Sequence, residues 1–89
     1  MIKYEEGVLK SLKKGLIPKD TFNLFDHAFI ALDTTKDMNL FDIKRLKSTG
    51  TRSYYRMRKG KYRAIFYIEK NDFFVIKIAK RDEVYKLWE

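Results

Sequence analysis

Apolar side chains recur with a helical period through the first third of this chain and alternate with polar ones through much of the second half. In residues 5–14, Val8, Leu9 and Leu12 share one helical face and Lys10, Lys13 and Lys14 lie elsewhere; Gly15 follows, where a helix-ending residue is wanted. Pro18 suits the first turn of a second helix, in which Phe22, Phe25, Phe29 and Leu32 recur on one face with Ala28 beside them. The two segments predict a helical hairpin whose phenylalanine stripe packs on a sheet. Asp33 to Asn39 reads as a polar turn, after which Leu40, Phe41, Ile43 and Leu46 return the chain to the core, with a short strand near Ile43 to Leu46. Another turn is expected at Ser48 to Thr51.

From Arg52 to Arg58, alternation sets Tyr55 and Met57 on one face and Tyr54, Arg56 and Arg58 on the other. Lys59-Gly60 supplies a tight turn, and the strand beyond it aims Tyr62, Ala64, Phe66 and Ile68 one way and Arg63, Ile65 and Tyr67 the other. Glu69 to Asp72 forms the next turn, with Asn71 able to accept positive φ. Phe73 to Lys80 is apolar except for Lys77, as a central strand covered on both faces is. Arg81 to Glu89 predicts one or two helical turns with Val84 and Trp88 facing the core, which puts Arg81 where the strand ends. The fold class is α+β: an N-terminal helical hairpin packed on a mostly antiparallel twisted sheet, with a short C-terminal helix, in one domain spanning 1–89. The pattern leaves open whether Met1 to Tyr4 adds an edge strand.

Composition narrows the chemistry. The chain has no cysteine and a single histidine, His27, so thiolate catalysis, disulfides and the usual Cys- or His-based metal sites are excluded, and no metal or other cofactor is expected. Scattered carboxylates such as Asp33, Asp37 and Asp42 lack a calcium-loop pattern. His27 reads as a structural or surface residue. No apolar run approaches the roughly 18 residues of a membrane span, and the N-terminus has no signal-peptide character, so a soluble, cytoplasmic protein without membrane contact is expected.

Charge changes the picture most. Residues 1–42 carry six Lys and seven Asp/Glu, whereas residues 43–89 carry fourteen Lys/Arg and five Asp/Glu, so the formal net charge of +8 belongs to the second half. Between Ile43 and Ile68 there are nine basic residues and no acidic one, a bias that ordinary surfaces, which intersperse both signs, do not show. An anionic partner follows from this. RNA cleavage in such a setting needs a group to deprotonate the 2′-OH, cations to hold the scissile phosphate, and a group to protonate the leaving 5′-oxygen. Arg56, Arg63 and Arg81 can clamp phosphate but stay protonated, which leaves Tyr and Lys for proton transfer, both brought nearer that role by a cationic field. Tyr54 and Tyr85 can instead stack on splayed bases, at about 1–3 kcal/mol each. Lys47, Lys59 and Lys61 read as electrostatic contributors, and composition by itself favours the plainer alternative of a non-catalytic anion-binding face.

The run Leu46-Lys47, then Tyr55 through Tyr67 with its Lys-Gly-Lys-Tyr-Arg turn, then Lys80-Arg-Asp-Glu-Val-Tyr85, resembles the RelE/ParE superfamily of toxin–antitoxin toxins, and the RelE branch most. The match is close over residues 44–88, and the helical hairpin agrees in type and order. The resemblance implies a toxin that enters the ribosomal A site and cleaves mRNA by metal-independent 2′-OH attack, neutralised by an acidic RelB-like antitoxin that wraps it, often as a heterotetramer. Carried over by motif, Arg56 stands at a catalytic lysine, Arg63 at the phosphate-binding arginine, Arg81 at a second transition-state arginine, and Tyr85 at the catalytic or base-stacking tyrosine. Arg52, Arg58, Lys47, Lys80 and Tyr54 then flank the site as RNA-binding residues. Tyr54 departs from members that carry a further lysine there, and the spacing from Arg81 to Tyr85 is shorter than in some, so the base stays open between Tyr85, a lysine and neither. Two other readings share the scaffold: a ParE-like inhibitor of DNA gyrase, and an RNA- or ribosome-binding module without catalysis.

Overall fold

The computed structural model describes residues 1–46 and 52–88, with side chains through Val84. The chain runs β1 (Ile2–Tyr4), α1 (Glu6–Lys13), α2 (Lys19–Thr35), a 3₁₀ turn (Met38–Leu40), β2 (Ile43–Arg45), β3 (Tyr54–Lys59), β4 (Tyr62–Glu69), β5 (Asp72–Lys80) and α3 (Arg81–Trp88). The five strands form one sheet in the order β1-β5-β4-β3-β2. Every pairing is antiparallel except that of β1 with β5, so the first residues do add an edge strand, and a parallel one. The expected turn at Ser48 to Thr51 lies outside the described residues.

Helix ends follow from local chemistry. Gly15 adopts φ 78°, which lets its N–H donate to Leu12 O at 3.1 Å and that of Leu16 to Ser11 O at 2.9 Å, the paired bonds of a Schellman motif. Pro18 caps α2 from just outside the helix, one residue before the first turn in which it was expected. At the other end α2 runs on to Thr35, past the Asp33 where the polar turn was expected to begin. The hydroxyls of Thr34 and Thr35 donate to Ile30 O and Ala31 O, so these polar residues are satisfied within the helix, and Lys36 in the left-handed region (φ 58°) ends it.

The phenylalanine stripe packs as its spacing predicts. Phe25, Ala28, Phe29 and Leu32 are buried against Met57, Ala64, Phe66, Phe73, Val75 and Ile78, and the Phe29 ring meets that of Phe66 edge-on with centroids 5.1 Å apart. Val8 joins this core, but Leu9, expected beside it, is 48% exposed. A smaller core forms on the opposite sheet face from Leu46, Ile65, Ala79 and Val84, with Tyr54 and Ile76 against it. The strand buried on both faces is therefore β4, from Arg63 to Tyr67, rather than β5 alone. In β5 the pairing shifts between Ile65 and Phe66, which face Lys77 and Val75 and leave Ile76 as the extra residue of a bulge. That bulge inverts the alternation: Phe73 and Val75 face the helical hairpin before it and Ile78 after it, which frees Ala79 to face α3.

β1 is tied to α2 by the Tyr4 hydroxyl, which donates to Asp26 Oδ1 at 2.6 Å while the Tyr4 ring packs 4.9 Å from that of Phe22. Burial first, and then the bond to Asp26, push the phenol's pKa above its ordinary value of 10.0. A group raised in the folded state contributes stability that is intact below the unfolded pKa and is lost as pH rises beyond it. Tyr4→Phe is expected to cost about 1.5 kcal/mol at neutral pH. In urea titrations between pH 8 and 11, the variant should lose less stability above pH 10 than the parent chain does.

Candidate functional site: a cationic cleft at one end of the sheet

The site is built outward from a two-residue turn. Lys59 pairs with Tyr62 across β3 and β4, so the turn residues are Gly60 and Lys61, one position later than Lys59-Gly60. Gly60 takes φ 58° at the first of the two, a backbone that a side chain would strain. Arg63 follows immediately and is only 7% exposed. Its Nη1 donates to Gly60 O at 2.9 Å and to Tyr62 O at 3.0 Å, so a buried guanidinium is held by the carbonyls of the turn beside it. The turn is also bonded to the end of the chain. The backbone N–H of Arg81, the first residue of α3, donates to Lys61 O at 3.0 Å.

These contacts gather Lys61, Arg63, Lys80 and Arg81, with Gly60 and Asp82, around a cleft of about 340 Å³. Four cations against one carboxylate make it a focus of positive potential. Val84, buried in the second core, anchors α3 and so fixes where Arg81 stands. Tyr85 is the next residue of α3; its side chain lies outside the described residues, as does Lys47.

Arg56 and Arg58 project from β3 on the same sheet face as Arg63. Arg58 stands directly opposite Arg63 in register, and Arg56 opposite Ile65 on one side and Lys44 on the other. Like charges placed so repel. Asp42 answers this: its Oδ2 forms an ion pair with Arg58 Nε at 2.6 Å, its Oδ1 accepts from Arg56 Nη2 at 3.4 Å, and its backbone carbonyl accepts from the N–H of Arg58. The pair is thus drawn toward the β2 edge of the sheet. Sequence reasoning passed over Asp42 as one more scattered acid. The available signal was its position, as the last carboxylate before the basic run that opens at Ile43.

Arg52 and Tyr54 are not brought to the cleft. They lie at the far end of β3, which at roughly 3.3 Å per residue is most of the strand's length away. Arg52 pairs with Glu69 at 3.1 Å and lies over the Tyr67 ring, 4.0 Å from its centroid; bonding to Tyr54, above all, holds its guanidinium still more firmly protonated. Tyr54 is half-buried, edge-on to Tyr67 with centroids 5.9 Å apart. Lys80 and Arg81 are exposed at the cleft rim, and His27 is exposed on α2, away from it. Among the described residues, no helix is long and apolar enough to cross a membrane.

No protein-family model and no curated protein matches the sequence. Among the solved chains that match the fold are two from toxin–antitoxin complexes. One is a chain of the archaeal RelE–RelB complex from Pyrococcus horikoshii OT3, 26% identical, with 90% of this chain and 92% of that one covered and a TM-score of 0.70. The other is a chain of the RelB–RelE antitoxin–toxin complex from Methanococcus jannaschii, 22% identical, with 94% of this chain and 95% of that one covered and a TM-score of 0.71. The α+β architecture described above is RelE-like.

Two substitutions test how the site is held. Arg63→Ala removes both bonds to the turn carbonyls and is expected to cost about 1.5–3 kcal/mol, with faster hydrogen exchange at the amides of Lys61 and Arg81 than elsewhere in the sheet. Asp42→Asn removes the carboxylate that neutralises Arg56 and Arg58. It should elute later from heparin, and its binding to a short RNA should show a salt dependence steeper by roughly one counterion.

Proposed function

We propose that this chain is the toxin of a type II toxin–antitoxin pair, a ribosome-dependent endoribonuclease that cleaves mRNA in the A site. The observation that carries the reading is the cleft in which Lys61, Arg63, Lys80 and Arg81 converge, on a fold shared with chains of RelE–RelB complexes. In support of it, the Arg63 guanidinium is held by backbone carbonyls and the backbone of Arg81 is bonded to the turn, so these two residues start from fixed points beside the cleft. Positioned charge of this kind stabilises a phosphorane-like transition state at little reorganisation cost.

In the reaction so read, the ribose 2′-OH attacks the adjacent phosphorus, its proton passes to a base, and the 5′-oxygen leaves with a proton from an acid. The products are a 2′,3′-cyclic phosphate and a 5′-OH. Arg63 and Arg81 bear the charge that builds on the phosphoryl oxygens, Arg56 adds to that field from β3, and Tyr85 serves in proton transfer or stacks on a base. Arg58 and Lys80 extend the RNA path along the sheet, with Arg52 and Tyr54 at its far end, and Lys47 adds a further contact to RNA. No metal enters this scheme. The partner is an acidic RelB-like antitoxin, in a heterotetramer, and the setting is the cytoplasm.

A second reading draws on Tyr54. The position where some RelE-type toxins carry a further lysine holds a half-buried tyrosine packed on Tyr67, which favours a module that binds ribosomes without cutting. One experiment separates the two. In a cell-free translation system the chain should arrest synthesis and yield fragments ending in a 2′,3′-cyclic phosphate and a 5′-OH. Arg81→Ala should lower the cleavage rate about 10²–10³-fold, with Tyr85→Phe impaired as well. Arrest with intact mRNA sinks the nuclease reading and leaves the binding module.

A further inference from the structure

Along one flank of α1 an acidic, an apolar and a basic side chain stand in line. Val8 is buried and Leu12 packs half-buried beside it, which leaves Leu9 turned aside and 48% exposed. Leu16, 67% exposed, follows the Schellman turn at the end of the same helix and lengthens the apolar strip. Glu5, at the N-terminal cap, lies four residues before Leu9 and Lys13 four residues after it, so the three share a face at intervals of about 6 Å along the axis. Both charged residues are exposed, and among the described residues neither pairs with an opposite charge. Glu6 and Lys10, farther round the helix, already pair with each other at 3.2 Å.

We infer that this face of α1 docks a second copy of the chain, antiparallel about a two-fold axis at Leu9, so that Leu9 packs on Leu9 and each Glu5 meets Lys13 of the other copy. The order acid, leucine, base is complementary to its own reverse, which is what a two-fold interface demands. Charge elsewhere on the chain favours the same approach. Residues 43–89 carry fourteen basic and five acidic side chains, whereas residues 1–42 carry six and seven. Two copies therefore repel through their second halves and meet without net repulsion through the first, where α1 lies. An anionic lipid surface accepts the leucines and Lys13 but is repelled by Glu5 and Glu6. A second copy satisfies all of them.

Helix length limits the strength of this pairing. α1 has eight residues and is about 12 Å long, so the contact falls among weak interfaces, below roughly 1,200 Å² in total. A dissociation constant of about 100 µM is expected. Val8 packs on the sheet face that carries Ala64 and Phe66, whereas Arg63 stands on the opposite face with Ile65. Pairing through α1 therefore leaves the cationic cleft of each copy uncovered, and it does not depend on the nuclease reading.

Sedimentation equilibrium of the full chain between about 10 µM and about 1 mM measures the association. Dimers are expected in the upper part of that range, with amide NMR shifts that move with concentration at Glu6, Leu9, Lys13 and Leu16 and not at Lys61 or Arg81. Leu9→Gln should weaken association about tenfold or more, and because the side chain is exposed it should leave the melting temperature unchanged. Charge variants test the geometry. Glu5→Lys alone and Lys13→Glu alone each set like charges against each other and should lose association, whereas an equimolar mixture of the two restores both opposite-charge pairs and should dimerise as the parent does. The inference is overturned if the parent chain is monomeric at about 1 mM, if the shifts fall in the basic half instead, if Leu9→Gln associates as the parent does, or if the mixture associates no better than either variant alone. It is equally overturned if phosphatidylglycerol vesicles shift the α1 amides of a chain that is monomeric by itself, and a lipid surface then takes the place of the second copy.

Discussion

Burial of β4 on both faces is the constraint on which the rest of this structure depends. Ala64 and Phe66 face the helical hairpin, Ile65 faces α3, and all three are fully buried. A strand so enclosed has no solvated side on which to carry charge, yet Arg63 lies within the buried run. Burying a guanidinium is costly unless its donors are met, and here the carbonyls of Gly60 and Tyr62 meet those of Nη1. The same contacts stiffen the turn. The residue the core can least easily accept is therefore also one tied to the turn by two bonds of its own side chain.

The second, smaller core has an effect out of proportion to its size. Leu46, Ile65, Ala79 and Val84 supply little apolar area, but they draw α3 onto the sheet so that the N–H of Arg81 reaches the carbonyl of Lys61. The β5 bulge is part of this device. With uninterrupted alternation, the parity that sets Phe73 and Val75 toward the hairpin would also turn Ala79 there and take it from α3. A single extra residue thus keeps both cores supplied, and it lies in β5, the strand that ends at Lys80 in the candidate site. Bulges next to functional sites commonly re-aim side chains in this way.

The basic run does not form one uniform surface. Lys61, Arg63, Lys80 and Arg81 share a cleft; Arg56 and Arg58 are bound to Asp42; Arg52 is held by Glu69 and Tyr67 at the far end of β3. This division matters because exposed ion pairs add little stability yet determine which cations face a ligand. A polyanion approaching the sheet meets a concentrated patch at one end and a partly neutralised pair beside it.

Several features were legible in the residues themselves. The hairpin, the Phe25-Phe29-Leu32 stripe, the sidedness of Tyr55 and Met57 against Arg56 and Arg58, and the place of Arg81 at a strand end all follow from backbone periods of 3.6 and 2, and any stretch of sequence displays its period directly. So does the excess of positive charge after Ile43. What only the tertiary structure decided are choices among partners distant along the chain: β1 pairing in parallel with β5, Asp42 reaching Arg56 and Arg58, Arg52 going to Glu69 rather than to the cleft, and Arg63 turning inward to the carbonyls of its own turn. An ion pair or a strand register depends on distances across space and on which competing partner lies nearer. A local pattern specifies the face on which a side chain stands, and the packed fold alone specifies what it meets there.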